Sequence, residues 1–109
     1  MELTARLRVP VDDSEDQQIC DYFAESFEFI RLAMEKEAGH VLLHCKHGQS
    51  RSATIAAAYL LERYRRRASK KSVQEVLLEL RQCRPRVSPN MGFLQQLERH
   101  ACAEVTSFA

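Results

Sequence analysis

The chain has 109 residues, 45% of them hydrophobic, which suffices for one compact domain with one core and is too little for two. Sixteen basic residues against fifteen acidic ones leave a formal charge of +1, so no global field points to nucleic acid or an anionic membrane as a partner. There is no run of about eighteen apolar residues, and Met1-Glu2-Leu3-Thr4-Ala5-Arg6 lacks the apolar core of a signal peptide, so a soluble cytoplasmic protein is expected, with the nucleus as a second compartment.

In chain order, Leu3 to Val11 carries Leu3, Leu7, Val9 and Val11 among polar residues and runs into Pro10, which predicts an edge strand leaving a sheet. An acidic loop follows. From about Gln17 to Ala38, Ile19, Tyr22, Phe23, Phe27, Ile30 and Met34 recur at three- and four-residue spacing, predicting an amphipathic helix closed by Gly39. His40-Val41-Leu42-Leu43-His44-Cys45 is a short apolar run after that glycine and reads as a buried strand. A polar segment from Lys46 to Ser50, with Gly48 inside it, leads to a helix from Ser52 to about Arg67. That helix is apolar over Ala53 to Leu61 and so is buried on several sides. Ser72 and Glu75 form a capping-box pattern ahead of Val73, Val76, Leu77 and Leu80, predicting a helix that stops before Pro85. Asn90 is a plausible cap for a last helix through Phe93, Leu94, Leu97 and Ala101. The pattern is an α/β unit whose strand feeds a loop and a helix start.

A strand, a short loop and a helix N-terminus gather backbone N–H groups that lack partners inside the helix, with the positive end of the helix dipole behind them. Such a place binds phosphate. Here the loop Lys46-His47-Gly48-Gln49-Ser50 would supply those amides, and Gly48 lets the backbone curl tightly enough for them to converge. The residue that opens the loop is Cys45, whose thiol ionises more readily there because the thiolate is itself an anion. Six residues on, the planar fork of Arg51 can grip two phosphate oxygens together. The other cysteines, Cys20, Cys83 and Cys102, are scattered without CxxC pairs, so neither a zinc site nor a disulfide framework is indicated. His40, His47 and His100 have no metal-ligand spacing, and no metal or other cofactor is expected.

The stretch His44-Cys45-Lys46-His47-Gly48-Gln49-Ser50-Arg51-Ser52 resembles the HCxxGxxRS signature of the cysteine-dependent phosphatases, and its Ser50-Arg51-Ser52-Ala53 ending is most similar to the dual-specificity group. A chance match at five specified positions is on the order of one in a million per window. A buried cysteine at a strand end would not account for Gly48, Arg51 and Ser52 at these offsets. The likeness continues through Ala58-Tyr59-Leu60-Leu61, Arg84-Pro85, Pro89-Asn90, Gly92-Phe93 and Gln96-Leu97, and before the signature through Tyr22-Phe23 and Phe29-Ile30.

That resemblance implies roles for four further residues. Asp13 falls where the family places its general acid, with Asp12 as the competitor; apart from the resemblance, Asp12, Asp13, Glu15 and Asp16 read as a solvated helix entrance. Ser52 would help the sulfur leave in the second step, or serve only as a helix-start hydroxyl. His44 would hold Cys45 and its loop through hydrogen bonds, against the plain reading of a strand-end histidine. Asn90 either braces the phosphate loop or simply caps the last helix. The implied fold is the cysteine-phosphatase one, a central sheet flanked by helices, with residues 1–109 forming a single catalytic domain. Family members carry further strands and a helix ahead of the point that matches Met1. The sheet is therefore expected to be incomplete, with exposed edges.

The implied activity is hydrolysis of phosphotyrosine and phosphoserine or phosphothreonine in protein substrates through a phosphocysteine intermediate. Two other readings stay open: a catalytically weak module that binds phosphorylated proteins, and a phosphatase of RNA 5′ ends or phosphoinositides. The basic run Arg63, Arg65, Arg66, Arg67, Lys70, Lys71 is longer than the family's usual connection. It reads as a solvated loop, or more sharply as a docking patch for an acidic partner, a nuclear-import signal, or a kinase site, since Arg66-Arg67-Ala68-Ser69 resembles the basophilic Arg-Arg-x-Ser pattern.

Overall fold

The computed structural model describes residues 7–36, 41, 43 and 50–103. Among them the chain forms a 3₁₀ turn at Ile19–Tyr22 followed by four helices: α1 (Phe23–Glu35), α2 (Arg51–Arg66), α3 (Val73–Cys83) and α4 (Met91–Cys102). Helix α2 is the hub, packed against α1, α3 and α4. Its composition explains that position. Ala53, Ala57 and Ala58 are buried and bring neighbouring backbones close, while Ile55 and Leu61 fill the space between them. Thr54, a poor helix former on intrinsic grounds, is also fully buried, its hydroxyl satisfied by the Ser50 carbonyl at 2.7 Å.

The expected capping box is present in full. Ser72 Oγ accepts from the Glu75 N–H at 3.1 Å, and Glu75 Oε1 accepts from the Ser72 N–H at 3.0 Å. That geometry starts α3 cleanly and sends Val73, Val76 and Leu77 into the core. Asn90 Oδ1 accepts from the Phe93 N–H at 2.8 Å and starts α4. Phe93 and Leu97, both fully buried, then anchor α4 with about 1.5–3 kcal/mol of apolar burial each.

Three expectations differ from the structure or fall partly outside it. Residues 7–11 form no strand; the Val11 N–H turns back to the Val9 carbonyl at 2.9 Å, a three-residue turn about Pro10, whose ring already holds the φ such a turn needs. The helix expected from about Gln17 to Ala38 begins instead as the 3₁₀ turn, becomes α-helical at Phe23, and ends at Glu35; Ala38 and Gly39 lie outside the described residues. Its start is set from elsewhere in the fold, because the side chain of Gln96 in α4 takes the Cys20 N–H and the Gln17 carbonyl. Met34, assigned to the buried stripe by spacing, is 46% exposed. Of the strand expected over residues 40–45, only Val41 and Leu43 are described, both partly buried against the core; the strand and its sheet lie outside the described residues. No helix among the described residues is long and apolar enough to cross a membrane.

Candidate active site

Arg51 is the first residue of α2, and Ser50 is its N-cap by position. The Ser50 hydroxyl does not cap the helix. It accepts instead from the Asn90 backbone N–H at 3.0 Å, while the Ser50 carbonyl accepts from the Thr54 N–H at 2.9 Å. The first-turn amides of α2 therefore get no help from that side chain, which suits an anion at this helix start.

Arg51 reaches across to the loop that carries the acidic residues, Nη1 donating to the Val11 carbonyl at 3.2 Å. Its Nε is buried and has no partner among the described residues. A buried guanidinium N–H without an acceptor is costly, and a phosphate oxygen is the kind of acceptor that removes the cost. The bond to Val11 also orients the fork, so the arginine is held before any anion arrives.

The acidic loop separates its carboxylates by what each one touches. Asp13 Oδ1 accepts from Asn90 Nδ2 at 2.9 Å. Asp12 enters through its backbone, its N–H donating to Gln17 Oε1 at 3.2 Å. Asp16 is bonded to the Ser14 hydroxyl, which together with its own backbone N–H holds its carboxyl below the usual range and keeps it ionised. Asp12 and Asp13 are both exposed, but Asp13 alone of the pair is joined to Asn90 and, through that residue, to Ser50. Asn90 caps α4, and it also joins Asp13 to Ser50, the residue that precedes α2; the rest of the loop it was expected to brace lies outside the described residues.

Two residues outside the set expected from sequence, Gln96 and Gly92, pack against or bond to the acidic loop and the turn after it. Gln96 is 2% exposed and bonded at both ends of its amide, Oε1 to the Cys20 N–H at 2.9 Å and Nε2 to the Gln17 carbonyl at 2.8 Å. Gly92 lies so close to the loop that a Cβ there would fall 2.1 Å from the Glu15 carbonyl oxygen. The signal available in the sequence was a glutamine inside the apolar stripe of Phe93 and Leu97, where a buried amide needs partners. Ser52 lines a small cavity of about 200 Å³ between α2 and α3, together with Leu43, Ala56, Leu80 and Val87. His44, Cys45, Lys46, His47, Gly48 and Gln49 lie outside the described residues, so the structure brings together Arg51, Ser50, Asn90 and Asp13 of the expected set.

The family described as dual specificity phosphatase, catalytic domain, matches residues 1–102. Dual specificity protein phosphatase 5 of human and rat is 42% identical over 89 residues, covering 82% of this chain and 22% of that protein. Tyrosine-protein phosphatase yvh1 of Schizosaccharomyces pombe is 40% identical over 91 residues, covering 84% of this chain and 26% of its own length. The chain thus spans less than half the length of the curated relatives it matches. The crystal structure of human DUSP28 superposes with a TM-score of 0.76 at 30% identity, covering 87% of this chain and 60% of that one, so the described helices fit a cysteine-phosphatase fold. By a family match that runs through the signature and on into α4, this chain belongs to the dual-specificity phosphatase family, in the part that forms the catalytic domain.

Proposed function

We propose that this chain hydrolyses phosphotyrosine and phosphoserine or phosphothreonine in proteins through a phosphocysteine intermediate on Cys45. The Cys45 thiolate attacks phosphorus while Arg51 holds two non-bridging oxygens, with the amides of Lys46, His47, Gly48, Gln49 and Ser50 around the same group and His44 bracing the cysteine. The bond from phosphorus to the substrate oxygen breaks, and Asp13 gives that oxygen its proton. Asp13 then takes a proton from water, the water oxygen attacks phosphorus, and the sulfur leaves with the Ser52 hydroxyl donating to it, releasing inorganic phosphate.

The observation that carries this reading is the hydrogen-bonded path from Ser50 through Asn90 to Asp13, which ties the end of the phosphate-loop segment to the carboxylate the family uses as an acid. A structure serving only to bind phosphorylated partners would need the clamp but not that tie. The test is pre-steady-state hydrolysis of an aryl phosphate with a chelator present. A burst of aryl alcohol stoichiometric with protein, lost in Cys45→Ser, is expected. Full turnover by Cys45→Ser, or a strict requirement for added metal, would sink the assignment.

A further inference from the structure

The connection between α2 and α3 carries features that phosphate hydrolysis does not use. Helix α2 ends in a double hydrogen-bonded cap, with the Ala68 N–H donating to the Arg65 carbonyl at 3.0 Å and the Ser69 N–H to the Tyr64 carbonyl at 2.9 Å. Such a cap needs a residue with positive φ at its hinge, usually glycine. Here alanine fills it, with φ of 55°. The last turn of α2 is therefore closed by a strained residue, which lowers the cost of opening it.

Ser69 sits at that hinge. Among the described residues its hydroxyl makes no hydrogen bond, while Arg66 and Arg67 stand three and two positions before it. It lines a cavity of about 320 Å³ with Arg65, Lys70, Lys71, Ala101 and Cys102, so three cationic residues border the same space as Ser69. We propose that Ser69 is a phosphorylation site for a kinase that reads basic residues two and three positions upstream, and that the attached phosphate is held in this cavity by Arg65, Lys70 and Lys71. The Ser69 oxygen attacks the γ-phosphorus of ATP, the bridging bond to ADP breaks, and the hydroxyl proton passes to the kinase's carboxylate base.

The neighbouring serine is the natural competitor, since Lys70-Lys71-Ser72 is also basic, and the structure separates the two. The Ser72 hydroxyl is engaged in the capping box of α3, so modifying it requires dismantling a helix start. Arg66 does rest on other groups, 3.1 Å from Glu62, 3.9 Å from Glu28, and 4.3 Å over the Phe27 ring. Its side chain is 53% exposed, and surface contacts of that kind yield readily to a kinase's acidic groove. A dianion at a helix C-terminus opposes the helix dipole, an effect that two or three charge-assisted hydrogen bonds from the surrounding cations exceed.

The experiment incubates the full chain, wild-type and Cys45→Ser, with Mg-ATP and the catalytic subunit of cAMP-dependent protein kinase, and maps the product by peptide mass spectrometry. The Cys45→Ser chain guards against removal of the mark by the protein's own activity. Expected is one phosphoryl group on Ser69, none in Ser69→Ala, and an initial rate at least about tenfold lower in Arg66→Gln/Arg67→Gln. No incorporation at Ser69 in either chain, transfer mainly to Ser72, or an undiminished rate without the two arginines would overturn the site. In the phosphorylated protein, amide exchange over residues 67–71 should slow by about tenfold, and Lys70→Gln/Lys71→Gln should abolish that slowing. Exchange that is unchanged or faster on phosphorylation would overturn capture of the phosphate in the cavity.

Discussion

The amide of Asn90 donates to the carboxylate of Asp13 at 2.9 Å, joining residues 77 positions apart in the chain. The same side chain caps α4 through its other end, at 2.8 Å from the Phe93 N–H, so the acidic loop is fastened to a helix start that the fold needs in any case.

This double use separates two variants. Asn90→Asp keeps an acceptor for the Phe93 N–H but sets a second carboxylate against Asp13, whereas Asn90→Ala loses cap and link together. Asn90→Ala should cost about 1 kcal/mol of stability, with Asn90→Asp closer to wild type, and both should slow turnover of phosphopeptides. Urea unfolding and steady-state kinetics on the same preparations check this; parallel losses of stability and rate in both variants would mean that the link to Asp13 has no separate function.

On the proposed mechanism, a general acid matters most when the leaving oxygen is strongly basic. Asp13→Asn should therefore cost little on activated aryl phosphates and about a hundredfold to ten-thousandfold on phosphoserine peptides. Asp12→Asn, one residue away with the same charge, should show no such dependence on the leaving group. Reversal of the two results would move the acid to Asp12.

Gly92 tests how tightly the acidic loop is packed on α4. In Gly92→Ala the methyl would meet Glu15 backbone rather than a flexible side-chain tip, so the loop itself must shift. We expect a loss of about 1–3 kcal/mol in urea unfolding together with slower phosphopeptide turnover. Wild-type stability would show that the loop gives way freely.

His100 makes stability depend on pH. Burial lowers its pKa from the ordinary 6.5, and the nearby Arg65 charge lowers it further. Its ring packs edge-on against Phe23 with centroids 5.1 Å apart, and its buried Nε2 has no partner among the described residues. Because the folded state holds this proton less tightly than the unfolded chain, the contribution is complete above the unfolded pKa and is lost as pH falls through the folded one. Urea midpoints at about pH 7.5 and about pH 5.5 should differ, and the difference should shrink in His100→Gln. An equal acid-side loss in that variant would assign it to other groups.

Ala68→Gly should raise stability by about 0.5–1 kcal/mol, because the strain at φ of 55° exceeds the extra freedom glycine adds to the unfolded chain. Thermal unfolding checks the sign. A loss would mean that Ala68 reaches its left-handed conformation without strain.

Much of the helical layout is legible in the sequence. The Ser72 and Glu75 pair, the Asn90 cap and the apolar stretch from Ala53 to Leu61 are local signals, decided within a turn or two by backbone hydrogen bonding and helical period, and each appears where its spacing placed it. The segment expected to carry the chemistry stands out in the sequence for a related reason. Cys45, Gly48, Arg51 and Ser52 lie within eight consecutive positions, so their relation is carried by one short segment.

What the sequence by itself determined, then, is the set of helices and the starts of α2, α3 and α4, with the segment before α2 as the place where phosphate chemistry is expected. Only the tertiary structure decided which carboxylate of the acidic loop is joined to that helix start, because the choice rests on Asn90, far away in the chain. It also decided that residues 19–22 form a 3₁₀ turn before α1, since Gln96 claims the Cys20 N–H, and that residues 7–11 bend about Pro10 instead of forming a strand. Periodicity records which face of a segment is apolar; it does not record which distant polar group will satisfy a given backbone N–H, and at the acidic loop those distant partners fix the geometry.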